Sequence, residues 1–185
     1  MKLSASDREN LLFIARRAIE QRLNILQEQR SWSPEISASM ETCCGAFVTL
    51  YVDKKLRGCI GTFSEEEPLH SNVVNMAISA AVNDTRFSPI LPGELSRLEI
   101  EISTLTPRQR IYEPGEIELG RHGIYIRLGS KRGTLLPQVA VNQNWSVEEF
   151  LGNCSRYKAG IGWDGWRDAE IYTYEALVFN SNSRA

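Results

Sequence analysis

The residues best suited to chemistry lie in the hexapeptide Leu56-Arg57-Gly58-Cys59-Ile60-Gly61, which sets one cysteine between two glycines. The surrounding composition is that of a β-strand, in which glycine weakens the sheet unless the backbone bulges or another group approaches closely. We therefore expect the thiol of Cys59 to lie on unusually open backbone, as a nucleophile or a ligand contact. Arg57 would favour the thiolate if its guanidinium reaches round to the sulfur.

Two interpretations of this hexapeptide stay open. A free cysteine is most often a small buried hydrophobic residue, and the glycines would then serve only tight packing. In the other interpretation the segment lines a ligand site. Gly58, Ile60 and Gly61 would then contact the ligand, and Arg57 would hold an anionic group on it.

A second candidate is the segment Asp84-Thr85-Arg86-Phe87, at the end of a predicted helix. In a structural role, Asp84 pairs with Arg86 or caps the helix exit. In a functional role, the guanidinium of Arg86 forks onto a carboxylate or phosphate of a ligand. We predict that Asp84 and Arg86 both belong to the ligand site.

Histidines offer few further groups, since the chain contains two. His122 lies in the predicted turn Gly120-Arg121-His122-Gly123, and loop tips often carry function. It is a candidate accessory proton carrier, although a polar residue is also simply tolerated in such a turn. The four cysteines fit neither a disulfide framework nor paired zinc knuckles. We predict no metal site, and the sequence identifies no cofactor.

The elements that position these groups follow from periodicity and turn signals. A capping box at Ser6 predicts a helix to about Gln29. Other predicted elements are a hairpin over 45–52 and 56–62, a helix from Pro68 to about Asp84, an alternating strand over 98–105, short extended runs over 117–119 and 124–126, a short helix from Pro137, a capping box at Ser146 and a strand over 171–179. Direct hairpins are too frequent for a doubly wound fold. We predict the α+β class, with a largely antiparallel sheet flanked by helices.

Composition narrows the classes of function. The chain has 185 residues, 42% hydrophobic and 24% charged, with a net charge of −2. This balance disfavours binding to nucleic acid, because such proteins usually carry a basic domain or patch. No apolar run approaches the ~20 residues of a membrane span. The chain begins with a charged segment that lacks the apolar core of a signal peptide, so we expect a cytoplasmic protein.

Taken together, the motifs resemble the AMMECR family, the protein-A component of the AmmeMemoRadiSam system. The residues that carry the resemblance are Leu56-Arg57-Gly58-Cys59-Ile60-Gly61, Asp84-Thr85-Arg86-Phe87-Ser88-Pro89, Leu98-Glu99-Ile100-Glu101-Ile102-Ser103, Gly120-Arg121-His122-Gly123, Arg132-Gly133 and Leu135-Leu136-Pro137-Gln138-Val139-Ala140. They run from about residue 45 to 179 and indicate a single domain of this type over residues 1–185.

The resemblance implies an α+β fold with a larger and a smaller lobe, and the cysteine hexapeptide near a cleft between them. It also implies a pathway shared with a Memo-type protein and a radical S-adenosylmethionine enzyme, without identifying a reaction. One position departs from the family pattern. Where the family has a cysteine two residues before Lys158-Ala159-Gly160, this chain has Arg156, and Cys154 lies two residues further back. The resemblance therefore does not supply a second thiol opposite Cys59 at this position.

Two hypotheses of different classes follow. In the first, the protein is an enzyme or an enzyme component that handles a small molecule or a modified residue. Cys59 is then the nucleophile or ligand contact, and Arg57 and Arg86 hold anionic groups. In the second, it is a non-catalytic adaptor that presents the same segment to partner proteins. A regulatory role on nucleic acid is a weaker third hypothesis.

Overall fold

The computed structural model describes residues 3–24 and 34–181, and the chain divides into two compact units. The larger unit comprises Met1–Leu105 and Leu177–Ala185, and the smaller unit comprises Thr106–Ala176. In both units antiparallel strands form a sheet that helices flank. The fold is therefore of the α+β class, as the sequence predicts.

The larger unit contains α1 (Ala5–Arg22), β1 (Ala46–Val52), β2 (Lys55–Thr62), α2 (Leu69–Val82), a 3-10 turn (Pro92–Arg97), β3 (Leu98–Leu105) and the end of β7 (Glu170–Asn180), which begins in the smaller unit. In its sheet, β1 pairs with β2 on one side and with β3 on the other. The end of β7 lies beside β3.

The two faces of this sheet differ sharply. Burial alternates along β1, so that Val48 and Leu50 pack into a core that α1 and α2 also line. Successive side chains of a strand point to opposite faces, and paired residues share a face. The face away from the helices, called the outer face below, carries the side chains or Cα hydrogens of Phe47, Thr49, Tyr51, Cys59, Gly61, Glu99, Glu101 and Ser103.

The β1–β2 hairpin contains one irregularity. Its two-residue turn, Asp53-Lys54, has positive φ angles of 51° and 63°, which suit the right-handed twist of the strands. Tyr51 pairs with Leu56, but Leu50 pairs with Gly58. Arg57 is therefore the extra residue of a β-bulge. The bulge expected from the glycine content of the hexapeptide is confirmed.

The smaller unit contains its own sheet and core. Its elements are β4 (Gln109–Ile111), a 3-10 turn (Pro114–Glu116), β5 (His122–Leu128), β6 (Lys131–Leu135), α3 (Pro137–Gln143), α4 (Val147–Asn153), a π-helical turn (Cys154–Ala159) and a 3-10 helix (Asp164–Asp168). In the sheet, β5 pairs with β6 and β7, and β4 also pairs with β7. Buried residues such as Phe150 and Leu151 pack beneath the sheet.

Local signals located most elements, with two corrections and one helix end that lies outside the described residues. The N-cap of α1 is Ser4, not Ser6, because the hydroxyl of Ser4 accepts the N–H of Asp7 and the Asp7 carboxylate accepts the N–H of Ser4. Helix α1 ends at Arg22, and the predicted end at Gln29 lies outside the described residues. The extended run predicted over 117–119 is not a strand, since Ile117 closes the 3-10 turn.

The capping box predicted at Ser146 is confirmed, with reciprocal hydrogen bonds to Glu149. Within residues 3–24 and 34–181, no helix combines the length and the apolar character that crossing a bilayer demands.

Candidate functional site

Cys59 lies on the outer face of the larger unit, half-buried, opposite Thr49 of β1. The hydroxyl of Thr49 donates to the Cys59 Sγ at 3.3 Å. The sulfur thus accepts a hydrogen bond from the neighbouring strand. The side chain of Cys59 is thus neither fully buried in the core nor fully exposed to solvent.

The main chain of Cys59 is held from both sides by one ion pair. Its N–H donates to the Asp84 Oδ2 at 2.8 Å, and its carbonyl accepts the Arg86 Nη2 at 3.0 Å. Arg86 also binds the Asp84 carboxylate through Nε at 2.9 Å and Nη2 at 2.7 Å. The free edge of β2 is therefore capped at Cys59, where an exposed strand edge would otherwise be left unpaired.

Asp84 is buried and charged. Hydrogen bonds from the Arg86 guanidinium, with smaller contributions from the backbone N–H groups of Cys59 and Arg86, outweigh desolvation and hold the pKa of Asp84 well below its usual range. The structural role considered for this pair, in which Asp84 pairs with Arg86, is present. The Arg86 side chain is still 59% exposed, and its predicted contact with a ligand stays a prediction.

Arg57 is engaged elsewhere. Its Nε and Nη2 bind the two carboxylate oxygens of Glu94 at 2.8 and 3.1 Å, and its Nη1 and Nη2 donate to the carbonyls of Ser88 and Pro89. The pairing with Arg57 is also the main reason why the pKa of Glu94 is lowered. Arg57 thus directs its charge at Glu94, and its predicted role as an anion clamp stays a prediction.

The glycines of the hexapeptide allow close packing by the protein itself. A Cβ on Gly58 would lie 2.1 Å from the carbonyl oxygen of Ala80 in α2, and a Cβ on Gly61 would lie 2.0 Å from the ring of Phe47. The expected close approach is confirmed, and it comes from α2 and an aromatic ring. Ile60, between them, packs against the core from the helix face. Ligand contacts by these three residues stay predictions.

Three residues of the outer face, Thr49, Tyr51 and Glu101, were not predicted from the sequence as site residues. Thr49 pairs with Cys59 on one side and with Glu101 on the other, so a thiol, a hydroxyl and a carboxylate form a row across three strands. Burial, and then the charges of Glu101 and Cys59, raise the pKa of Tyr51, which lies close to both. The alternation of polar and apolar residues along β1 and β3 was the available signal. Without the register, it did not connect them to Cys59.

His122 lies in the smaller unit, at the first residue of β5 rather than at the tip of a turn. Its Nδ1 accepts the backbone N–H of Glu118 at 3.1 Å. In the neutral ring the proton is then on Nε2, which is the nitrogen left for proton transfer. The role predicted for His122 stays a prediction.

The other cysteines differ from Cys59. Cys44 and Cys154 are fully buried, and burial raises their pKa values to about 11 and about 12 respectively. Cys43 is exposed. Among the residues that the structure describes, no three histidine, cysteine or acidic side chains are grouped to hold a metal ion.

Comparison with known proteins places the chain in a family. The model of the family described as AMMECR1 matches residues 12–179. Protein MK0488 of Methanopyrus kandleri is 41% identical over 189 residues, which cover 96% of this chain and 90% of that protein. A protein of Methanothermobacter thermautotrophicus is 37% identical over 188 residues and 97% of both chains.

A solved structure agrees. The crystal structure of the uncharacterized protein PH0010 from Pyrococcus horikoshii matches with a TM-score of 0.75 and 35% sequence identity, over 93% of this chain and 90% of that chain. With the family model covering most of the sequence, and relatives matched over nearly their whole length, this chain belongs to the AMMECR1 family.

Proposed function

We propose that the outer face of the larger unit is a thiol site, and that the protein is an enzyme or enzyme component acting there on a small molecule or a modified residue. Cys59 is the nucleophile or the direct ligand contact. The observation that carries the proposal is the hydrogen bond from the Thr49 hydroxyl to the Cys59 sulfur, on a face that the helices leave uncovered.

In this proposal Thr49 and Glu101 assist the thiol of Cys59 as relay and base. A thiol reacts as its thiolate, and a hydroxyl donor at 3.3 Å supports that form. Glu101 is the next residue of the same row, at the spacing of directly paired strand residues. A rotation of the Thr49 hydroxyl then connects the sulfur to a carboxylate that accepts protons. The row supplies nucleophile, relay and base without a histidine.

The capped main chain supports the same function. Both backbone polar groups of Cys59 are bound by the Asp84–Arg86 pair, so the Cα–Cβ bond that carries the thiol is held in one direction. Reactions between bound groups gain from such fixed orientation. In this proposal Asp84 and Arg86 are positioning residues, and the exposed part of Arg86 is available to an anionic group of the ligand.

Competitive alkylation tests the proposal. The folded protein is treated with limiting iodoacetamide near neutral pH, and modification of each cysteine is followed by peptide mass spectrometry. We expect Cys59 to react faster than the exposed thiol of Cys43, despite its partial burial. Cys154 should react at least about a hundredfold more slowly than Cys59, because a thiol with a pKa of about 12 is almost fully protonated.

The matched variants are Thr49→Val and Thr49→Ser. Valine keeps the shape and removes the hydroxyl donor, so the alkylation rate of Cys59 should fall several-fold. Serine restores the donor and should restore the rate. Equal rates in all three proteins, or a Cys59 that stays unmodified while Cys43 reacts, would contradict the proposal. The latter result would favour the adaptor hypothesis.

The adaptor hypothesis has one observation of its own. Leu56, which pairs with Tyr51 of the outer face, is 42% exposed, so its apolar side chain is accessible to a partner protein. We propose the Memo-type protein and the radical S-adenosylmethionine enzyme as the partners in either case, a proposal that rests on the family resemblance. Co-purification of each with wild-type protein and with Leu56→Asp tests it. Loss of binding only in the variant would favour the adaptor.

A further inference from the structure

The sheet of the smaller unit has two unlike faces. Its helix face carries apolar side chains such as Ile124 and Ile126, which pack with buried residues of α3 and α4. Charged and aromatic side chains lie on the opposite face, because the residues of a strand alternate between faces and paired residues share one. This face, called the arginine face below, comprises Arg110 of β4, Glu170 and Tyr172 of β7, Tyr125 and Arg127 of β5, and Arg132 of β6.

The arginine face carries more positive than negative charge. The half-exposed side chains of Arg110 and Arg127 share one carboxylate, that of Glu170, at 3.3 and 2.6 Å. Arg132 is exposed and pairs directly with Arg127, and like charges in directly paired positions destabilise a sheet. Within the described part of the chain, Arg132 forms no ion pair. An anion bound at these three guanidinium groups would relieve their repulsion.

Aromatic rings lie beside two of these guanidinium groups. Arg127 lies over the ring of Tyr172 at 5.9 Å, and Arg110 lies over the ring of Tyr112, the residue after β4, at 5.2 Å. Tyr112 is 79% exposed. Nucleic-acid bases stack on aromatic rings and guanidinium planes, while arginines bind the phosphates. An acidic peptide would neutralise the same charges but would leave the exposed ring without a stacking partner, so nucleic acid is favoured.

The architecture of the sheet suits the same ligand. Within the smaller unit the strand order is β4–β7–β5–β6, with Tyr172 and Tyr125 paired on the two central strands. Four-stranded sheets with aromatic residues on the face opposite their helices stack two or three bases of single-stranded RNA. From β4 to β6 the face is three strand spacings wide, about 14 Å. A short single-stranded segment fits this width.

We propose that the arginine face binds a short segment of single-stranded nucleic acid. Its phosphates contact Arg110, Arg127 and Arg132, and one base stacks on the ring of Tyr112. The net charge of −2 is a sum over the whole chain and does not report this local excess of positive charge. The arginine face belongs to the smaller unit, so the proposal stands or falls independently of the thiol chemistry at Cys59.

Fluorescence anisotropy with labelled octanucleotides tests the proposal. Octauridylate and octathymidylate are the RNA and DNA probes, and labelled octaglutamate is the acidic peptide. At low salt at least one octanucleotide should bind with a dissociation constant of about 1–100 μM. With three arginine–phosphate contacts, the logarithm of this constant should rise with the logarithm of salt concentration with a slope of about 2. Octaglutamate should bind at least about tenfold more weakly, because it offers no base to stack.

Two pairs of variants separate charge from stacking. Arg132→Ala should reduce the salt slope by about 0.7, whereas Arg97→Ala, at an exposed arginine of the larger unit, should change neither slope nor affinity. Tyr112→Ala should weaken binding at least about fivefold at an unchanged slope. Its matched control is Tyr157→Ala, because Tyr157 is also exposed and Arg156 also lies over its ring at 5.2 Å.

Three results would overturn the proposal. If neither octanucleotide binds at 1 mM protein, the arginine face is not a nucleic-acid site. Octaglutamate binding as tight as that of the octanucleotides would assign the face to acidic protein segments instead. Equal losses in Tyr112→Ala and Tyr157→Ala would show that binding is not localised to the arginine face. The replaced side chains are exposed, so thermal unfolding of each variant should match wild type.

Discussion

Cys59 and Cys154 lie at comparable irregularities of the backbone, yet their surroundings are opposite. Cys59 follows a β-bulge and Cys154 begins a π-helical turn. In each unit a glycine permits the close approach that the irregularity needs, with Gly58 against α2 and Gly133 against the backbone of Ala159. Cys59 has a hydroxyl donor on a half-exposed face, whereas Cys154 is enclosed by apolar neighbours such as Phe150.

The difference shows that backbone irregularity alone does not make a reactive thiol. What separates the two cysteines is the environment of the sulfur, because burial raises the pKa of Cys154 to about 12 and leaves it a packing residue. In this chain the segment around Cys154 serves the core of the smaller unit.

Removing the charge of Asp84 should have the largest effect on stability. In Asp84→Asn the buried end of the ion pair loses its charge, and the hydrogen bonds to Cys59 and Arg86 weaken or break. We expect a loss of about 2–3 kcal/mol in the free energy of unfolding at pH 7, less than for a fully buried pair because Arg86 is half exposed. Urea denaturation measures it.

The pH dependence of the free energy of unfolding tests the charged role of Asp84. The pKa of Asp84 is depressed in the folded state, so its stabilisation is complete above the unfolded value, roughly pH 4, and is lost as the pH falls below it. When the pH falls from 5 to 2, Asp84→Asn should therefore lose less stability than wild type. These two pH values lie roughly a unit or more on either side of the unfolded-state pKa of Asp84. Asp53→Asn, in an exposed pair with Arg97, is the control and should change stability little. Parallel acid limbs for Asp84→Asn and wild type would refute the charged role of Asp84.

Gly58→Ala should cause the second-largest loss in the free energy of unfolding. A Cβ at this position would lie 2.1 Å from a main-chain carbonyl of α2, which a side-chain rotation cannot relieve. We expect a loss of about 1–3 kcal/mol in the free energy of unfolding from overpacking. Thermal unfolding with Gly93→Ala as the control measures it. A variant as stable as wild type would mean that α2 does not pack on the bulge in solution.

The smallest expected effects on stability come from replacing Cys154 and Cys59, and they should differ between the two residues. Cys154→Ser buries a hydroxyl in an apolar core and should destabilise the protein by about 1–2 kcal/mol. Cys59→Ser, on the outer face beside Thr49, should stay within about 0.5 kcal/mol of wild type. Chemical denaturation of both variants makes the comparison. Equal losses would place Cys59 in a packing role and favour the alternative interpretation of the hexapeptide.

Much of the fold was predictable because local signals agree with it. The strict alternation of Leu98–Leu105 identified β3, and Ser146 with Glu149 identified the start of α4. The pairing of Asp84 with Arg86 was one of two roles open from their spacing. Pairings between distant segments were not predictable in this way. Glu94 as the partner of Arg57, and Glu101 in a row with Cys59, follow from strand register and chain path.

The amino-acid sequence by itself determined that the strand around Cys59 is irregular and glycine-dependent. Only the tertiary structure decided which face carries the thiol. After the two-residue turn at Asp53-Lys54, regular pairing would set Cys59 opposite Val48, on the helix face. The extra residue Arg57 sets it opposite Thr49 instead, because side chains alternate with a period of two and one added residue reverses the face. Glu94 and α2 hold that bulge in place, and both contacts come from distant parts of the chain.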